Sequence, residues 1–270
     1  MNRATRTVVL TVAGLAVTAA ASAHDLFVKL DSYHLPPGTP VQVPIINGTF
    51  QSSVNSITPD RVADVSLVSQ GRRTKLGMDT WNAERDTTFY GLRTGEPGTY
   101  VLGVSTRPNS LGMDAADFNL YLASDGVVDV LKQRALEGEL NEGAREQYSK
   151  HVKGIFQVGD RTTDGLDVVL GHPAELVPLG NPYETRVGGE LAFRALVDGK
   201  PVSGQLVIAG GEAGGTVIAE REARTDAEGV VRFRMDRAGR WYVKFINMRK
   251  TDAEGLDYES KWATITFEIR

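Results

Sequence analysis

The chain has 270 residues, no cysteine and a formal charge of −4. Its acidic balance disfavours a nucleic-acid partner, which calls for a basic face. The missing thiols exclude disulfides and a lipid attached to cysteine after a leader.

The first 23 residues read as a cleavable secretory signal. Arg3 and Arg6 supply the positive start, Val8 to Ala21 a short apolar stretch, and Ala21-Ser22-Ala23 the small-residue cleavage rule. Scission there makes His24 the first residue of the mature chain and moves the formal charge from −4 to −6, because both arginines leave. No later apolar run reaches the ~18 residues that span a bilayer, so no membrane insertion is expected after cleavage. The expected location is the periplasm. At ~100–200 residues per domain the mature chain suggests two domains.

Short alternating apolar stretches separated by turn residues predict strands at Leu26–Leu30, Val41–Ile46, Val62–Val68, Thr87–Tyr90 and Gly98–Val104. At Asp117 the texture changes. Asp125 is the expected N-cap of a helix over 126–137, and 141–152 reads as a second helix, acidic early and basic late. The two form a helical insertion, about 118–153, in a β domain. Asp167–Leu170 returns to strand. The prolines at 173, 178 and 182 resist a regular ladder, which places a domain boundary near Gly180. Beyond it, strands are expected at Glu190–Val197, Gly204–Ile208, Val217–Arg224, Val230–Met235, Arg240–Ile246 and Trp262–Ile269, with a glycine-rich loop over 210–215. That spacing implies a small antiparallel sandwich. The expected fold is therefore mainly β: two β-sandwich-like domains, at 24–179 and 180–270, the first with a short two-helix insertion and the second Ig-like.

Catalytic signatures are missing. There is no Gly-x-Ser-x-Gly elbow, no phosphate loop and no His-Glu-x-x-His helix, so no enzyme is expected. What remains is ligation. The chain holds four histidines, at 24, 34, 151 and 172. An N-terminal His24 would own two metal-binding nitrogens, its α-amine and its imidazole, and imidazole suits nickel, cobalt and copper. His172 or His34 is expected to close the site. Asp25, next along a strand, should point away from His24. His151 is explained as a helix-end residue beside Lys150 and Lys153. Trp241, Tyr242 and Trp262 are assigned to core packing, and the acidic stretch from Asp252 to Glu259 to a solvated loop.

Several strings together resemble an exported bacterial family catalogued as a domain of unknown function and labelled as the periplasmic component of nickel or cobalt uptake. They are His24 at the mature terminus, Tyr121-Leu122, Arg145-Glu146-Gln147-Tyr148-Ser149-Lys150, Glu175-Leu176-Val177-Pro178-Leu179 with Asn181-Pro182-Tyr183, Gly199-Lys200-Pro201-Val202, Ala238-Gly239-Arg240-Trp241, and Glu259-Ser260-Lys261-Trp262. The carboxyl-terminal strings are also similar to the transthyretin-like, or carboxypeptidase-regulatory-like, sandwich. The resemblance implies a soluble metal-binding protein with a membrane transporter component as partner. It also sets Asn47 and Asn247 where many members carry His. The alternative is a non-enzymatic scaffold that binds an envelope protein or a glycan through its loops.

Overall fold

A computed structural model describes residues 24–270, and the expected signal peptide lies outside them. In chain order the elements are β1 (Asp25–Val28), β2 (His34–Leu35), β3 (Pro40–Gly48), β4 (Val62–Ser69), β5 (Arg72–Lys75), β6 (Trp81–Glu84), β7 (Thr87–Arg93), β8 (Gly98–Thr106) and β9 (Asn109–Met113). Next come α1 (Ala115–Ser124), α2 (Val128–Glu137), β10 (Ala144–Val158) and β11 (Ala174–Pro178). The chain closes with β12 (Glu190–Val197), β13 (Lys200–Pro201), β14 (Leu206–Ala213), β15 (Thr216–Arg224), β16 (Val230–Arg234), β17 (Gly239–Lys250) and β18 (Tyr258–Ile269).

The architecture is mainly β and layered. One central sheet runs β15-β14-β17-β18-β10-β8-β4-β5, with β2 and β9 also paired to β10. A four-stranded sheet β1-β3-β7-β6 and a second one of β11, β12, β13 and β16 complete the fold. Side chains alternate along a strand, and β10 shows what each face meets. Val152 and Phe156 pack in a core with Leu26, Val28 and Ile45 of the first small sheet. Ile155 packs in the other core, with Leu176, Phe193 and Phe233 of the second small sheet and Trp241, Phe245 and Phe267 of the central one. The helices cover the same face as the first small sheet, where Phe118, Tyr121 and Leu122 meet Ile246 and Trp262. Each fully buried large side chain contributes roughly 1.5–3 kcal/mol, so Trp241, Phe267 and Phe193 anchor the second core.

Several sequence expectations change. The stretch 141–152 is not a helix: from Ala144 it is β10, the middle strand of the long sheet, whose last ten residues are all buried. Antiparallel pairing to β8 and β9 on one side and parallel pairing to β18 on the other override its helical spacing. The helix expected over 126–137 is α2, with Val127 at its N-cap, and the other helix, α1, precedes it. Asp125 follows α1 as its C-cap, and the N-cap carboxylate is Asp114, which accepts from the Asp117 amide. Pro178 does sit in a strand. β11 is an edge strand paired only to β12, so the missing proline N–H costs no ladder bond there. Residues 167–170 form no strand. Strands from both sides of residue 180 share the central sheet, because β10 pairs in parallel with β18 from Glu146 opposite Tyr258 to Gly154 opposite Thr266.

The glycine-rich stretch is strand as far as Ala213, with the turn confined to Gly214 and Gly215. Gly210 and Gly211 lie in β14, where it shifts register against β15 and runs beside β17. A Cβ at Gly210 would fall 2.5 Å from Tyr242 Oη, and one at Gly211 would press on the Arg240 carbonyl. Backbone cannot move aside as a side-chain tip can, so Gly211→Ala should lose about 3 kcal/mol of stability. Urea denaturation would show it as a lowered midpoint, and an unchanged midpoint would refute the close approach.

Candidate functional site

The predicted mature terminus does not hang free. β1 pairs with β3, with Asp25 opposite Gly48 and Leu26 opposite Asn47. The backbone carbonyl of His24 accepts from Lys150 Nζ, which also donates to Asn47 Oδ1 at 3.2 Å. Asp25 Oδ2 lies 2.5 Å from Lys244 Nζ on β17. Two buried lysines of the central sheet thus hold His24 and Asp25 against it.

His24 and Asp25 line one cavity of about 320 Å³, together with Phe50, Asp125, Glu220 and Tyr242. Phe27, Phe50 and Tyr242 form an aromatic wall with ring centroids 5.0–5.2 Å apart. Tyr242 Oη donates to Glu220 Oε1 at 2.6 Å. Asp25 therefore does not turn away from His24, since His24 lies outside the strand and alternation does not bind it. Three carboxylates face Lys244 in this cavity. Burial, then the charge of Asp25, pushes Asp125 up to about 7. Asp25 Oδ1 is buried with no hydrogen-bond partner. Burial, then the charge of Lys150, holds the His24 imidazole below its ordinary value, which favours the neutral, ligating form.

The other two predicted ligands lie elsewhere. His34 is in β2, opposite Gln157 of β10, whereas the His24 carbonyl is bonded by Lys150 of the same strand. At ~3.3 Å per residue those positions are on the order of 20 Å apart. His34 Nδ1 sits 3.4 Å from Glu268 Oε2, and its ring packs edge-on against Tyr183. His172 lies on the opposite face of the sheet from His24, beside His151. The structure thus brings neither His34 nor His172 to His24, and their expected role of closing its site has no geometric support. Among the described residues no group of three or more His, Asp or Glu side chains could hold a metal ion.

His172 belongs to a sealed polar network. Its Nε2 is 3.1 Å from Asp64 Oδ2, and its amide donates to Glu175 Oε1 at 2.8 Å. Its ring centroid is 5.9 Å from that of His151, whose nitrogens meet Ser105 Oγ at 2.8 Å and Ser149 Oγ at 3.0 Å. Arg73 bonds Asp64, Ser66 and the Leu170 carbonyl, and Lys153 Nζ is 2.7 Å from Glu175 Oε2. Burial pushes His151 down to about 3, so its ring is neutral at ordinary pH. His151 is thus a strand residue in a hydroxyl cradle, and not the helix-end residue that the sequence suggested.

Sequence reasoning missed Lys150, Asp125, Glu220 and Lys244 as site residues. The Asp125 carboxyl offers a direct test of the cavity's charge. Its value in the folded chain lies above the ordinary 3.8, so its contribution to stability is full below pH 3.8 and is lost as pH rises through about 7. Asp125→Asn should therefore melt several degrees above the parent at pH 8 and level with it at pH 4. Thermal melts at the two pH values measure this, and an equal offset at both would show that Asp125 is not forced to ionise at a cost.

No curated protein matches this chain. Among solved structures, dimeric latent PorU from Porphyromonas gingivalis is 10% identical over 91% of this chain and 20% of its own, at a TM-score of 0.22. The D0-D1 domain of Intimin is 11% identical over 90% and 97%, at 0.19. Trypsin-activated alpha-2-macroglobulin from Escherichia coli is 10% identical over 92% and 16%, at 0.22. This chain therefore spans a fifth or less of the first and third of these, and superpositions at such scores carry no argument about its fold or role. Residues 21–249 match a family described as a domain of unknown function, DUF4198, and the chain belongs to that family.

Proposed function

We propose that this protein is an exported, non-enzymatic binding protein of the periplasm that takes a divalent transition metal (nickel, cobalt or copper) at the His24 cavity. The observation that carries the reading is the anchoring of His24. A solvated, frayed terminus could not present two nitrogens in a fixed place, whereas Lys150 and Lys244 pin residues 24 and 25 at the rim of an acid-lined cavity. Cleavage after Ala23 would release the α-amine beside a neutral imidazole. The unpartnered Asp25 Oδ1 supplies an oxygen donor of the kind that cobalt and nickel accept. The residues present therefore fit a small metal ion held mainly by one residue. His34 and His172 are not needed. A membrane transporter component as partner extends the same reading, and no helix among the described residues is long and apolar enough to cross a membrane.

A second reading, a scaffold that docks an envelope protein, draws on Leu120 and Leu136. These helical side chains are 66% and 80% exposed. On that reading the cavity is incidental.

Calorimetry separates the two. The chain beginning at His24 should bind one nickel, cobalt or copper ion per molecule. His24→Ala should weaken binding at least tenfold, about 1.4 kcal/mol. A chain retaining Ala23 should weaken it similarly, because the amine is then an amide. Equal affinity in all three would overturn the metal reading and leave the scaffold.

A further inference from the structure

A second cavity, of about 260 Å³, opens on the same face of the central sheet. It is lined by Asn47, Asn55, Ser56, Ile57, Thr58, Arg61, Thr106, Asn109, Tyr148 and Lys150. Its chemistry is opposite to that of the His24 cavity. Two cations line it and no carboxylate does.

The wall has more donors than acceptors. Lys150 has three N–H groups; the His24 carbonyl and Asn47 Oδ1 take two, which leaves one. The Arg61 guanidinium stands 5.9 Å from the Tyr148 ring centroid, and its Nη2 donates to the Arg107 carbonyl at 3.2 Å. Its Nε–H is buried with no partner. Tyr148 Oη accepts from Asn109 Nδ2 at 3.1 Å, so its own proton is free to donate. Thr106 Oγ1 is already used as an acceptor, by the Lys150 amide. A buried donor without an acceptor costs about 1–3 kcal/mol, and a cation facing a donor-rich wall costs more. An anion in the cavity would relieve all three groups at once.

We infer that this cavity binds the oxyanion group of a small solute, carboxylate or phosphate, with Arg61 and Lys150 as counter-charges and Tyr148 as a hydroxyl donor. A volume of about 260 Å³ is enough for a small organic acid and too little for a polymer. None of these three side chains is a proposed metal ligand; the shared group, Lys150, bonds His24 only at its backbone carbonyl, which His24→Ala retains.

The test uses the chain beginning at His24, with EDTA present so that no metal contributes. Thermal melts and calorimetry are run with malate, with inorganic phosphate, and with glucose as the neutral control. Stabilisation by malate or by phosphate, but not by glucose, supports the site, and the stronger of the two names the source of the oxyanion. Arg61→Gln should weaken that binding at least tenfold. Tyr148→Phe should weaken it severalfold with an unchanged melting temperature in the absence of anion, which separates lost binding from lost folding. His24→Ala should leave it unchanged. No response to either anion, or an equal response in Arg61→Gln, would overturn the inference without touching the metal reading. Loss of anion binding in His24→Ala would likewise overturn its independence.

Discussion

The parallel pairing of β10 with β18 is the constraint from which the rest of the molecule follows. It joins residues 146–154 to 258–266, so the end of the chain is hydrogen-bonded beside its middle. Parallel neighbours need a long crossover, and everything from β11 to β17 is that crossover. Once the register sets Lys150 opposite Trp262 and His151 opposite Ala263, alternation divides the chemistry. Lys150 goes to the face shared with β1, α1 and both cavities. His151 goes to the face shared with His172 and Glu175. A slip of one residue would exchange the two sets, placing a lysine against the Ser105 hydroxyl and an imidazole under the first strand.

On the Lys150 face, two cations divide a broad polar surface into regions of opposite character. Lys244 neutralises Asp25 and stands 3.8 Å from Glu220, yet burial, then the charge of Asp25, still pushes the Asp125 carboxyl up to about 7. Lys150 reaches across to the His24 carbonyl while it lines the Arg61 cavity. Acceptors therefore gather on one side of it and donors on the other. Burying ions is costly unless geometry and added hydrogen bonds compensate. Each of these lysines meets that condition through the first residues of the mature chain, so the stability of this face and the placement of His24 depend on the same bonds.

Much of the fold was legible because most strands carry one apolar face. Val230-Val231-Arg232-Phe233-Arg234 alternates, and it is a strand. β10 hides the same alternation. Glu146, Tyr148, Lys150 and Val152 share one face, and Ser149, His151, Lys153 and Ile155 the other, so its buried positions are written largely in polar residues. They can be buried because distant partners satisfy them: Ser260 and Tyr121 for Glu146, Glu175 for Lys153, Ser105 for His151. No local pattern names those partners. Asp125-Gly126 does stand just before a helix, α2, but Asp125 is the C-cap of α1, and Val127 takes the N-cap position of α2. His24 stood out because the expected cleavage after Ala23, rather than folding, would make it unusual. Arg61 and Lys150 were missed because their cavity exists only after β10 has been placed.

The separation of the histidines bears on the kind of metal site this fold can offer. Convergent sites draw each donor from a different element, and here the candidates for that role are engaged: His34 against Glu268 and Tyr183, His172 against Asp64. A terminal chelate does not need convergence. Its amine and imidazole come from one residue and close a ring through that residue's own bonds, so the fold need only hold the residue still and supply oxygen nearby. β1 pairing, the Lys150 bond and the Asp25–Lys244 pair do the holding, and Asp25 Oδ1 is the nearby oxygen. The proposed site would have few donors, which suits reversible capture and release better than permanent storage. It also confines selectivity to the few groups around residue 24, among them Asn47, whose amide oxygen is already held by Lys150.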